Sequence, residues 1–192
     1  MLIIGSPFLP PHMNNRLRQP MISMVLEPMR PILGEHFVRY RNHSCRLFDL
    51  SNLLYSGDLT SDQKIDLSIA CVFNSLHIWT CENGTDYETR VVPLIEFLAN
   101  QNMLDRINTI CHMIGVTGKY DQSPLEPRPF EEAFRKAYWI DITKGTRTFS
   151  LSSSIYNRVL KKHPSRGFHW LLRTRTQDLT KTDSRIQGAL AR

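Results

Sequence analysis

Leu76-His77-Ile78-Trp79-Thr80-Cys81-Glu82-Asn83-Gly84-Thr85-Asp86-Tyr87-Glu88-Thr89-Arg90-Val91-Val92 is the stretch whose reading decides the fold class. Asn83-Gly84 is the strongest short hairpin signal available, because a two-residue type I′ turn needs positive φ at both central positions. Leu76–Glu82 and Thr85–Val92 then become a pair of antiparallel strands.

The neighbours of this stretch read as helices. Thr60-Ser61-Asp62-Gln63 is a capping box, in which the Thr hydroxyl and the Gln amide satisfy first-turn N–H groups. Ile65, Ile69, Val72, Phe73 and Leu76 follow at helical spacing as a buried stripe. On the other side, Pro93 suits a first helical position. Leu94, Phe97, Leu98, Leu104, Ile107, Ile110, Cys111 and Ile114 support one long or two short helices ending at Gly115.

Further out, Glu35–Arg41 alternates and predicts a first strand. Arg46–Tyr55 predicts a short helix ended by Ser56-Gly57-Asp58, and residues 116–129 read as a loop. Glu131–Tyr138 fits either a helix or the lead-in to a strand. Trp139–Thr143 and Thr146–Leu151 flank Lys144-Gly145 as a second hairpin. Ser152–Ser154 can cap a helix through Lys162, stopped by Pro164, and Gly167–Leu172 reads as a final strand. The expectation is an α+β fold: a single compact domain over 35–172, with two β-hairpins and edge strands packed against four to five helices. Residues 1–34 hold six of the eleven prolines and predict an extended, mobile arm. Residues 173–192 predict a basic disordered tail.

Charge is the second informative feature. The chain of 192 residues has a formal net charge of +6, with 22% charged and 41% hydrophobic residues. From Ile142 to Gln177 there is no acid and there are eight bases: Lys144, Arg147, Arg158, Lys161, Lys162, Arg166, Arg173 and Arg175. Phe149, Tyr156, Phe168 and Trp170 sit among them. Asp49 to Glu132 carries thirteen acids against five bases, a local −8, while residues 1–46 have six Arg and no Lys. Excess charge of one sign costs self-repulsion, which an anionic partner offsets. Phosphate in a nucleic-acid backbone or in lipid headgroups is the commonest such partner. Basic ends and an acidic middle also allow copies to pair tail to body.

Enzyme chemistry finds no foothold. There is no P-loop, GxGxxG, HExxH or GxSxG frame. Gly115-Val116-Thr117-Gly118-Lys119 lacks the phosphate-loop spacing and follows a helix. His77, Cys71, Cys81, Cys111 and His112 lack the close ligand pairs that zinc requires, and read as buried thiols and satisfied histidines. Neither a metal nor another cofactor is expected. The four cysteines lack CxxC spacing, which fits reduced intracellular thiols. No signal peptide and no run long enough for a membrane span is read.

The candidate binding residues are therefore Lys144, Arg147, Lys161, Lys162, Arg166, Arg173 and Arg175, with Arg16 and Arg18 as mobile auxiliaries. Arg173 and Arg175, at i and i+2 on an extended segment, would share a face and chelate phosphate. Pro10-Pro11-His12-Met13 could dock in an aromatic groove. It has Met13 where a tyrosine would complete a WW-domain ligand.

In the order of its predicted pieces the chain resembles the matrix proteins of rhabdoviruses. The strand Glu35–Arg41 leads to a helix ending in Tyr55-Ser56-Gly57 and then to a second helix. Arg128-Pro129-Phe130 precedes a hairpin turning at Lys144-Gly145-Thr146, and a helix and a terminal strand with Gly167 and Trp170 follow. The resemblance covers 35–172 and implies a non-enzymatic viral adaptor that self-associates beneath a membrane. It also implies binding to anionic lipid and to the ribonucleoprotein, host budding factors recruited through the proline arm, and a place in the host cytoplasm and virion. The alternative is an RNA-binding viral protein, a silencing suppressor or small nucleocapsid or coat protein, with Phe168 and Trp170 as stacking rings. Core packing is the simpler role for both rings, since a terminal strand needs an apolar face.

Overall fold

The computed structural model describes residues 21–80, 87–117 and 128–182, and these are helices joined by turns, with no strand among them. The α+β expectation is overturned. Short helices α1 (Ile22–Leu26) and α2 (Arg30–Leu33) lead to the long α3 (Phe37–Leu54). Then come α4 (Ser61–Phe73), α5 (His77–Thr80), α6 (Tyr87–Asn100) and α7 (Ile107–Thr117). The chain continues with α8 (Pro129–Ile142), α9 (Ser153–Lys162) and α10 (Phe168–Thr182).

Helix α3 is the axis of the molecule. It packs most extensively on α8, and also on α4, α1, α9 and α10. Its buried face carries Phe37, Tyr40, Ser44, Leu47 and Ser51, at helical spacing. Alternation over Glu35–Arg41 was therefore a fragment of a 3.6-residue period seen through too short a window. The main core joins Leu47, Leu67, Phe73, Leu94, Ile110 and Phe134, among others. A smaller cluster of Leu50, Ala137, Ile140, Tyr156 and Val159 seats α9 against α3 and α8.

Each remaining strand is corrected in the same way. Asn83-Gly84 lies outside the described residues, but His77–Thr80 is α5 and Tyr87 onward is α6. Because α6 starts at Tyr87, Pro93 falls inside it rather than at its start. Trp139–Thr143 is the end of α8, and Thr146–Leu151 is a non-strand link. Lys144 and Gly145 do have positive φ, at 54° and 72°. Here that geometry closes a helix: Gly145 N–H donates to Ile140 O at 2.8 Å and Lys144 N–H to Asp141 O at 3.0 Å. These are the two bonds of a Schellman cap. Gly167–Leu172 opens α10, which runs on through 173–182, so that part of the expected tail is helical.

Residues 21–34 of the expected arm are folded. Ile22, Val25, Leu26 and Leu33 are buried, and Pro28 and Pro31 occupy first-turn positions where a missing N–H costs nothing. Residues 1–20, with Pro10, Pro11, Arg16 and Arg18, lie outside the described residues. Two local readings match the structure. Thr60 and Gln63 form the reciprocal capping box of α4, and Ser152 Oγ accepts from Ile155 N–H at the start of α9.

Candidate functional site

The acid-free segment is folded into one end of the molecule. Lys144 and Arg147 are exposed on the turn after α8. That turn is held to α9 by Tyr156, whose ring lies so close to Gly145 that an added Cβ would sit 2.4 Å from Cδ1. Arg158 and Lys161, three residues apart, share the exposed side of α9. Lys162, also exposed, is engaged: its Nζ lies 2.7 Å from Asp49 Oδ2, which His163 Nε2 approaches at 3.0 Å. Burial raises the Asp49 pKa, but His163 and Lys162 outweigh it and the net shift is downward.

Arg166 is exposed in the α9–α10 link, at a φ of 49°. Arg173 and Arg175 are exposed on α10, but two residues apart on a helix point about 160° away from each other. They do not form the shared phosphate-chelating face expected of a strand. Arg175 instead lies close enough to α3 that its charge, with that of Arg39, helps lower the pKa of His36. Arg39 itself was missed by the sequence reading, which placed it on a strand. Its Nη1 is 4.0 Å from where a Cβ on Gly167 would sit, so it belongs beside Arg166.

Helix α10 also separates its two rings. Phe168 is 0% exposed and packs against Tyr40, Trp79 and His43. Trp170 is 68% exposed. The expectation that both serve the core holds for Phe168 and fails for Trp170, because a helix turns the second residue away by about 200°.

Beneath this surface is a buried polar knot that the sequence did not announce. Asp141, at the end of α8, is 0% exposed. Its Oδ1 accepts from Arg46 Nε at 2.5 Å, and its Oδ2 accepts from Arg46 Nη2 at 3.1 Å and from His43 Nδ1 at 2.6 Å. Arg46 Nη1 reaches on to His163 O at 2.9 Å, and Asn42 Nδ2 to Pro164 O at 2.8 Å. His169 closes the far side: Nε2 donates to Asp141 O at 2.8 Å, and Nδ1 accepts from Ser165 Oγ at 3.0 Å.

Burial raises the Asp141 pKa, but the bonds from His169 and His43 and the Arg46 charge hold it well below the ordinary 3.8. Burial lowers His43 from 6.5 despite the bond to Asp141. Arg46 and Asp141 therefore cancel, and His43 is neutral with its proton on Nδ1. Its Nε2 is buried without a hydrogen-bond partner. Serine, histidine and aspartate do follow one another here, as in a nucleophilic relay. The carboxylate, however, is taken up by Arg46 and His43, and stands 3.6 Å from His169 Nε2. The arrangement ties α3, α8 and the α9–α10 link together.

The remaining candidates disperse. Among the described residues no group of His, Cys, Asp and Glu could hold a metal. Burial pushes the Cys71 thiol well up and Cys45 to about 11, so neither is a ready nucleophile. His112 Nδ1 pairs with Glu131 at 2.9 Å, and Cys81 lies outside the described residues. Gly115–Thr117 is the last turn of α7, with Thr117 Oγ1 donating to Asn74 Oδ1 at 2.8 Å. No helix among the described residues is long and apolar enough to cross a membrane. The strands that suggested a rhabdovirus matrix protein are helices or non-strand links among the described residues, so that likeness carries no argument for function. No protein-family model, curated protein or solved structure matches the chain.

Proposed function

We propose that this is a non-enzymatic binding protein whose C-terminal basic end docks on a phosphate-bearing partner. One observation carries the reading: residues 142–177 supply eight bases and no acid, and all eight of those bases are exposed. Asp49 is the acid that meets this end, and it engages Lys162. The neighbouring buried charges are mutually satisfied, so the surface cations are not needed to stabilise the core.

The partner is recognised by charge, so affinity should fall steeply with salt, by about 0.7 of a logarithmic unit per phosphate contact per decade for a single strand. The test is binding to a polyanion across a salt series, for the wild type and for a Lys161→Glu, Arg166→Glu, Arg173→Glu variant. These positions are exposed, and Lys162 is spared because it holds Asp49. Loss of affinity with a shallower salt slope supports the reading. Equal binding by both proteins reduces the segment to a solvated face.

A second use of the same charge rests on the acidic middle. Asp62 and Asp66 converge on Arg106, with Asp105 beside it, on a part of the surface distant in sequence from the basic end. Copies would then pair basic end to acidic flank. Size-exclusion chromatography at two salt concentrations checks this, with the larger species expected at low salt.

A further inference from the structure

Trp170 is the largest exposed apolar side chain of the C-terminal helices, at 68% exposure. A tryptophan is placed in water at a cost, and nothing in the fold requires it there: Phe168 and Leu171 already fill the buried side of α10. Its surroundings are cationic. Arg173, three residues on, lies about 60° away around the helix and projects from the same side. Arg166 stands four residues before it, in the link that opens α10, and Arg39 is beside that link. Thr174, also on that side, bonds back to the Trp170 carbonyl and adds no charge.

An indole flanked by guanidinium groups matches two surfaces. A membrane interface wants an apolar patch around the ring, with cations at its rim. From α9 through Arg175 of α10 no other large apolar side chain is exposed. The remaining exposed ones lie on α1, α2, α3, α6 and the turn before α7. A single-stranded nucleic acid wants what is present here, one open ring face for a base and cations for the phosphates on either side.

We infer that Trp170 stacks on an unpaired base of a single-stranded nucleic acid, while Arg166 and Arg173 hold the flanking phosphates. This rests on the anionic-partner reading above and names the partner within it. Sequence preference should be weak, because every base offers a π face, and duplexes should bind less well than single strands because their bases are already stacked.

The experiment measures binding of the full chain to fluorescein-labelled oligouridine and to a hairpin duplex of equal charge, at low salt. Phosphatidylserine–phosphatidylcholine vesicles are run in parallel. Trp170→Ala and Trp170→Phe are compared with the wild type. Expected is a loss of about tenfold in oligouridine affinity for Trp170→Ala, with an unchanged salt slope, and recovery of most of it by Trp170→Phe. Quenching of tryptophan emission by the oligonucleotide should fall sharply in both variants, since Trp79 is buried in the core and Trp139 is half-buried at the end of α8, leaving Trp170 as the exposed indole.

Oligouridine binding that is salt-sensitive but indifferent to Trp170→Ala overturns the stacking inference and leaves the anionic-partner reading standing. So does tighter binding to the duplex, or binding to vesicles alone. Failure to bind any of the three probes overturns both.

Discussion

The ring of Phe168 lies flat on the imidazole of His43, with centroids 4.1 Å apart and planes within 16°. That stack joins α10 to the helix at the centre of the fold, directly above the His43–Asp141 bond. It makes the first residue of α10 a core residue, while the third is a surface residue. The two aromatic positions should therefore separate cleanly in stability measurements.

Phe168→Ala should cost about 3–5 kcal/mol, because it empties a buried aromatic site with no neighbour free to fill it. Trp170→Ala should stay within about 0.5 kcal/mol, as expected of an exposed position. Urea unfolding followed by far-ultraviolet circular dichroism checks both. A destabilisation at Trp170 as large as that at Phe168 would mean that the tryptophan is packed.

Asp141→Asn should cost about 3–5 kcal/mol, since it leaves the buried Arg46 guanidinium without its counter-charge. Arg46→Met should cost a similar amount by stranding Asp141. Replacing the two together by apolar residues of similar volume should cost much less than the sum, because no buried charge is then left over. A double-mutant cycle in urea gives the coupling, and simple additivity would show that the pair does not act as a unit.

Acid should weaken the fold through His43. Burial lowers its folded pKa below 6.5, against a raising pull from Asp141 and with small lowering contributions from Arg46 and His169. The unfolded chain therefore takes up the proton first. The favourable balance is complete above the unfolded value and is lost as pH falls from about 6.5 towards the lower folded value. His36 shifts in the same direction, chiefly by burial and then by the Arg39 and Arg175 charges, with Glu35 opposing. Asp49 and Asp141 are held below 3.8, so their contribution is present above that value and fades only in stronger acid. The urea midpoint should drop between pH 7 and 5.5, and His43→Asn should flatten that slope whatever it does to the absolute value. An unaltered slope would assign the titration elsewhere.

Gly145→Ala should cost about 2–4 kcal/mol, combining a positive φ with a methyl driven into a packed ring. The ring is Tyr156, whose Cδ1 would stand 2.4 Å from the new carbon. In a Tyr156→Ala background only the backbone share should remain, and thermal unfolding of the four proteins shows whether the two effects couple.

What was legible in the sequence was local chemistry. The Thr60–Gln63 box and the Ser152 cap need only neighbouring residues, and both are present. Lys144-Gly145 reads as a hairpin turn, and the two positive φ values found there close a helix as readily as they turn a hairpin. The choice between them depends on what precedes them. The second half of α3 is legible as the helix expected from Arg46, but its first half is hidden because the buried face carries Asn42, His43, Ser44 and Arg46, which break the apolar stripe that marks a helix. These residues are tolerated there only because of Asp141, Pro164 and His163, and a window of ten or twenty residues cannot see partners 95 to 122 positions away. The basic surface was visible as composition. Its division into an engaged Lys162, a displaced Arg175, a recruited Arg39 and an exposed Trp170 required the helices to be in place.

The long reach of Arg46 has a consequence for biosynthesis. A growing chain presents Arg46 to the ribosome exit roughly 5–20 s before Asp141, at ordinary rates of synthesis. Until then the central helix holds a cation with no counter-ion, and it cannot settle into its final burial. The segment that delivers the counter-ion, the carbonyl of His163 and the ring of Phe168 is also the segment that carries the surface cations. A nascent or truncated polypeptide thus lacks both at once, and the surface cations arrive only together with the groups that finish the interior.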